Sequence, residues 1–148
     1  RLAIRGGSAG GYTTLRALTT STAFAAGCSR YGIGDLASLA SDTHKFEARY
    51  LDGLIGPWPE ASELYAERSP INHVDRLNCP MLILQGADDA VVPLNQAETM
   101  AAAVAAKGLE VELIVFEGEG HGFRRAETIE RALEAELAFY RRVFGLSG

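Results

Sequence analysis

The sequence predicts an α/β protein with a doubly wound, mainly parallel sheet. Three observations support this. Short apolar runs alternate along the chain with longer amphipathic stretches. The chain has 148 residues, the size of one ordinary domain. Apolar residues make up 47% and charged residues 22%, a globular composition rather than a disordered one.

The elements follow in order. Leu2-Ala3-Ile4-Arg5 is a short strand running into the glycine-rich stretch Gly6–Gly11. Residues from about Tyr12 to Thr20 are expected to be helical. Ala23–Cys28 is a second apolar strand, ended by Ser29-Arg30. The stretch from Gly32 to Leu77 is irregular, with short helices around Leu36–Ala40, Lys45–Leu54 and Ala61–Ala66 broken by Gly56-Pro57 and Pro59. Met81–Leu84 is a buried-strand run. Leu94–Lys107 is helical, with Pro93 near its start and Gly108 past its end. Val111–Phe116 is the next strand, rich in β-branched and aromatic residues. The last helix runs from about Arg125 to Val143, with Ile129, Ala132, Leu133, Leu137, Tyr140 and Phe144 as its apolar stripe.

Charge and composition limit the function. Net charge is −5, so nucleic acid is not an expected partner. No apolar run reaches the roughly 18 residues of a membrane span, and the N-terminus does not read as a signal peptide. Cys28 and Cys79 offer neither a disulfide framework nor zinc spacing. A reduced, cytoplasmic protein without metal or cofactor is the expectation.

In doubly wound sheets, reactive groups sit at the carboxyl ends of the strands. Gly6-Gly7-Ser8-Ala9-Gly10 follows the first strand in a G-x-S-x-G pattern. A nucleophile at a sharp strand-to-helix turn needs small neighbours two residues away, which Gly6 and Gly10 supply. The Ala9 N–H then stands at a helix start, where it can donate to an oxyanion. A glycine-rich turn with an incidental serine, or an anion-binding turn, would share the pattern. The chain lacks the G-K-[ST] of a nucleotide loop.

Asp88 and Asp89 follow the strand Met81–Leu84, and His121, flanked by glycines, follows Val111–Phe116. Loop aspartates often only cap turns, and that reading holds for at least one of the pair. His44 and His73 are expected to be structural or surface residues. The order Ser, Asp, His is that of the α/β-hydrolase triad. Asp89 and His121 are 32 residues apart, enough for one loop, one helix and one strand. Their loops are therefore neighbours on one sheet edge.

Three segments resemble the prolyl oligopeptidase family of serine peptidases: G-G-S-A-G-G-Y at Gly6–Tyr12, G-A-D-D-A-V-V-P at Gly86–Pro93 and E-G-E-G-H-G-F at Glu117–Phe123. The nearest branch is the dipeptidyl aminopeptidase/acylaminoacyl-peptidase group, and Asp42–Tyr50 and Glu67–Ile71 add to the likeness. The resemblance implies an α/β-hydrolase catalytic domain with Ser8 as nucleophile, His121 as general base and acid, and an Asp orienting His121. The register G-x-x-D-x-x-V-P selects Asp89; the register D-D-x-V-V-P selects Asp88. Asp89 is the choice, with Asp88 as a turn or capping group. The implied substrates are short peptides of aminoacyl or acylaminoacyl type. A carboxylesterase shares the same triad, and an inactive fragment is the further alternative.

In this family the elbow follows the fifth of eight strands. Residues 1–148 therefore read as the C-terminal half of an α/β-hydrolase domain, and the chain as part of a longer protein. Strand Leu2–Arg5 would have a bare outer edge, which invites self-association. Arg49, Tyr50 and Trp58 are candidates for a specificity pocket only by their position in the irregular middle.

Overall fold

The structure, a computed structural model, describes residues 1–42 and 48–146, without the side chains of residues 42, 48 and 49. His44, most of the segment Asp42–Tyr50 and the side chain of Arg49 lie outside the described residues. Four strands form one parallel sheet in sequence order: β1 (Ala3–Gly7), β2 (Ala26–Arg30), β3 (Met81–Gly86) and β4 (Val111–Phe116). Around them lie α1 (Ala9–Thr20), α2 (Leu36–Asp42), α3 (Ala48–Leu54), α4 (Ser62–Arg68), a 3₁₀ helix (Pro70–Arg76), α5 (Leu94–Ala106) and α6 (Ala126–Phe144). Among the described residues, no helix is long and apolar enough to cross a membrane.

The sheet is covered on both faces, as a doubly wound fold requires. Every residue of β3 is buried, which is why Met81–Leu84 is a continuous apolar run rather than an alternating one. Its side chains still divide by the two-residue period. Met81 and Ile83 pack with Leu15 and Leu18 of α1 and Met100 and Val104 of α5. Leu82 and Leu84 point the other way and pack with Ala132 and Phe139 of α6. A third cluster, Leu36, Leu39, Leu51 and Tyr65, joins α2, α3 and α4.

Three sequence expectations need correction. The second strand is Ala26–Arg30, not Ala23–Cys28. The polar Ser29 and Arg30 belong to it because each finds a partner across the fold. Ser29 Oγ–H donates to the Gly11 carbonyl (3.4 Å), and the Arg30 guanidinium pairs with Glu136. The third strand continues beyond Leu84 to include Gln85 and Gly86. The buried face of α6 is also rotated from the predicted stripe. Thr128, Ala132, Glu136 and Phe139 are buried, whereas Ile129, Leu133 and Leu137 stay exposed.

Glu136 explains that rotation. Its carboxylate is 4% exposed and accepts from Arg30, from Arg5 Nε (3.0 Å) and from the Tyr140 hydroxyl (2.9 Å). A carboxylate with three donors is worth burying; one without them is not. Glu136 thereby ties α6 to both β1 and β2. Burial pushes the neighbouring Cys28 thiol up to about 12, helped by the Glu136 charge. Glu136→Ala leaves the half-buried Arg30 without its counter-charge. We expect a loss of about 3 kcal/mol, read as a lower urea midpoint with unchanged m-value.

Candidate active site

The three loops singled out in the sequence meet at the carboxyl ends of β1, β3 and β4. Ser8 joins β1 to α1 alone, because β1 runs to Gly7 and α1 begins at Ala9 rather than Tyr12. Its φ of 56° lies in the left-handed region, a strained conformation for a residue with a side chain. Two backbone hydrogen bonds hold it there: Ser8 N–H donates to the Arg30 carbonyl, and Tyr12 N–H donates to the Ser8 carbonyl, both at 3.0 Å. Ser8 occupies the cap position of α1, yet its side chain makes no capping hydrogen bond. The hydroxyl is turned outward instead.

Gly6 has no room for a side chain. An added Cβ would stand 2.1 Å from the Gly10 carbonyl oxygen. The same test corrects the expectation for Gly10, around which a Cβ would meet nothing within 4 Å. The turn is tight because the Gly10 backbone folds onto Gly6, so the steric demand falls on Gly6 alone.

Ser8 Oγ lies 2.8 Å from His121 Nε2, and His121 Nδ1 lies 2.9 Å from Asp89 Oδ2. A carboxylate can only accept, so Nδ1 carries the proton and Nε2 is free to accept from the Ser8 hydroxyl. Asp89 is buried and is the carboxylate that meets His121; Asp88 is exposed. Asp89 uses all its acceptor positions. Oδ1 takes the N–H groups of Val91 (2.9 Å) and Val92 (2.8 Å), and Oδ2 takes His121 and the carboxamide of Gln85 (3.2 Å). His73 is remote from this group, with Nε2 donating to the Glu67 carbonyl.

The sequence reading passed over several residues that shape the site. Tyr31, with φ 39°, stands edge-on to His121 at 5.1 Å and to Phe123 at 5.2 Å. Gln85 lies just beyond the expected strand Met81–Leu84 but is a fully buried residue of β3; a polar residue directly after an apolar run is the available signal. Gly86 lets the histidine loop cross close to β3: a Cβ there would stand 2.4 Å from the Glu119 carbonyl oxygen. Glu119 is buried and accepts from the N–H groups of Arg124 and Arg125, both at 3.0 Å, ahead of α6. Burial alone would raise its carboxyl, but those two donors and the Thr128 hydroxyl outweigh it and hold the pKa below the ordinary 4.5.

Beside Ser8 and Ala9 lies a cleft of about 320 Å³, walled by Ile33, Leu39, Leu51, Val91 and Val92. The exposed ring of Tyr50 also lines it, whereas Trp58 packs edge-on against Tyr65 elsewhere. Among the described residues, no group of three or more His, Cys, Asp or Glu is placed to hold a metal ion.

The family model of the prolyl oligopeptidase family matches residues 1–147. The chain belongs to the prolyl oligopeptidase family. It is 55% identical to a puromycin-hydrolyzing peptidase of Mycobacterium tuberculosis, with a TM-score of 0.96 over 99% of this chain and 22% of that one. A crystal structure of puromycin hydrolase gives 49% identity and a TM-score of 0.94, again over 99% of this chain and 22% of that one. Dipeptidyl aminopeptidase BIII of Pseudoxanthomonas mexicana is 38% identical over 133 residues, 86% of this chain and 19% of that protein. The chain thus spans about a fifth of the length of these relatives. The neighbours share the α/β-hydrolase fold.

Two outcomes are expected. Gly86→Ala forces β3 and the histidine loop apart and costs about 1–3 kcal/mol, measured by urea denaturation. For Glu119, a lowered folded pKa means stabilisation that is complete above 4.5 and lost as pH falls through the folded value. Hydrogen-exchange protection of the Arg124 and Arg125 amides, corrected for intrinsic rates, should follow that course. In Glu119→Gln the pH dependence should vanish.

Proposed function

We propose that the protein is a serine hydrolase that cleaves the amide bond of a short aminoacyl substrate, with Ser8, His121 and Asp89 as its triad. The observation that carries this reading is the line from Ser8 through His121 to Asp89, 2.8 and 2.9 Å long, on a strained turn beside an apolar cleft. Strain at a serine that forgoes its capping bond has no use in packing. It does have a use in presenting a nucleophile.

In the mechanism, Ser8 Oγ attacks the scissile carbonyl carbon while His121 Nε2 takes its proton. The negative charge that develops on the carbonyl oxygen faces the Ala9 N–H at the start of α1, where the first-turn N–H groups lack helical partners. The imidazolium is stabilised by Asp89 and then returns its proton to the leaving amine. Water, deprotonated by His121, cleaves the acyl-enzyme on Ser8 and restores the serine. The cleft walled by Ile33, Leu39, Leu51, Val91 and Val92 would take an apolar side chain on the acyl side. The likeness to puromycin-hydrolyzing peptidases favours an amide over a simple ester as the physiological bond.

Ser8→Ala should abolish both turnover and labelling by a fluorophosphonate probe. Retention of either would overturn the assignment. Among aminoacyl nitroanilides, phenylalanyl or leucyl substrates should exceed glutamyl ones in kcat/KM by at least about 10²-fold, since the aliphatic walls among the described residues offer a buried carboxylate no partner. Equal rates would remove the cleft from the substrate site.

A further inference from the structure

Resting on the hydrolase reading above, we infer that Gln85 is a positioning residue, holding the Asp89 carboxylate in the plane that His121 requires. The Asp89 side chain ends in a torsion with a broad energy well. Two backbone donors, from Val91 and Val92, pin Oδ1. They fix where that oxygen lies but leave the carboxylate free to swing about it. The second oxygen, which faces His121, is held from the protein interior by Gln85 Nε2 at 3.2 Å. Gln85 Nε2 is itself aimed by the Val92 carbonyl at 2.9 Å. The side chain thus spans the loop from the end of β3 to Val92 and fixes the carboxylate between its two ends.

The orientation of the amide is dictated by its surroundings. A flipped Gln85 would face its oxygen toward a carboxylate and a carbonyl, neither of which can donate. In the orientation seen, Oε1 is buried with no hydrogen-bond partner among the described residues. Gln85 is 0% exposed within an otherwise apolar strand. Packing alone would favour leucine or methionine there, with no orphaned oxygen. What the carboxamide adds is a donor shared by the Asp89 carboxylate and the Val92 carbonyl, with a longer contact to the Gly86 carbonyl at 3.4 Å.

The test is a double-mutant cycle with Gln85→Met, which keeps the length of the side chain and removes its polar atoms. Rates on an activated ester are divided by the fraction of sites titrated with a fluorophosphonate, and thermal midpoints are recorded beside them. The expected result is a kcat about 10-fold lower with KM unchanged; the midpoint records separately the cost of leaving the buried Val92 carbonyl without its donor. In the Asp89→Asn background the same change should alter kcat less than twofold, because the carboxylate it orients is gone. An unchanged kcat in Gln85→Met, or an equal loss in both backgrounds, would overturn the proposal. If Gln85→Met does not fold, Gln85→Leu enters the same cycle. Loss of the proposal leaves Ser8-dependent turnover of the unsubstituted protein intact; absence of that turnover removes the hydrolase reading as well.

Discussion

Four backbone hydrogen bonds at the carboxyl ends of the strands hold the site loops in place, and the rest of the structure depends on them. Ser8 N–H donates to Arg30, Tyr31 N–H to Leu84, Ala87 N–H to Phe116 and Asp88 N–H to Glu119, at 2.7–3.0 Å. They continue the parallel ladder past its last regular rung. The strand that carries the serine is thereby locked to its neighbour, and so on across to the histidine loop. These backbone bonds join each loop to its neighbour, while Asp89 and Glu119 brace their own loops from within. That arrangement frees Ser8, Asp89 and His121 to face one another.

Burial then grades the polarity of the line. The side chain of Asp89 is 0% exposed and that of His121 is 24% exposed. Asp89 has all its acceptors filled by groups of the protein, so it gains nothing by rotating away. The histidine keeps its inner nitrogen in the interior and offers the outer one to Ser8. Preorganisation of this kind lowers the rearrangement that a reaction demands.

Much of the fold was legible in the sequence because strand and helix periods leave direct marks. Val111–Phe116 was read to the residue, and the α/β alternation followed from such runs. Ser8, Asp89 and His121 were legible as candidates because each follows a strand, with Ser8 and His121 set among glycines and Asp89 in the register G-x-x-D-x-x-V-P. What escaped was set by partners distant in sequence. Ser29 and Arg30 look like strand breakers until Gly11 and Glu136 are in place. Glu136 falls on the apolar stripe by helical period, four residues after Ala132 and four before Tyr140, but its charge hides that place until two arginines and a tyrosine are there to meet it. Gly10 seemed sterically constrained by its position in a motif, whereas the crowding comes from its backbone and is felt at Gly6.

The long final helix α6 is tied to the chain on both sides of the site. Near its start, Glu119 gathers the amides that lead from the histidine loop into α6. Two turns or more further on, Glu136 grips Arg5, three residues before the serine, and Arg30, whose carbonyl holds the serine amide. One rod therefore references both the proton donor and the proton acceptor of the proposed reaction. When the sheet twists or breathes, both are carried along with that rod. Shared attachment to one rod makes a displacement of α6 common to both, much as two instruments bolted to one bench share its movements.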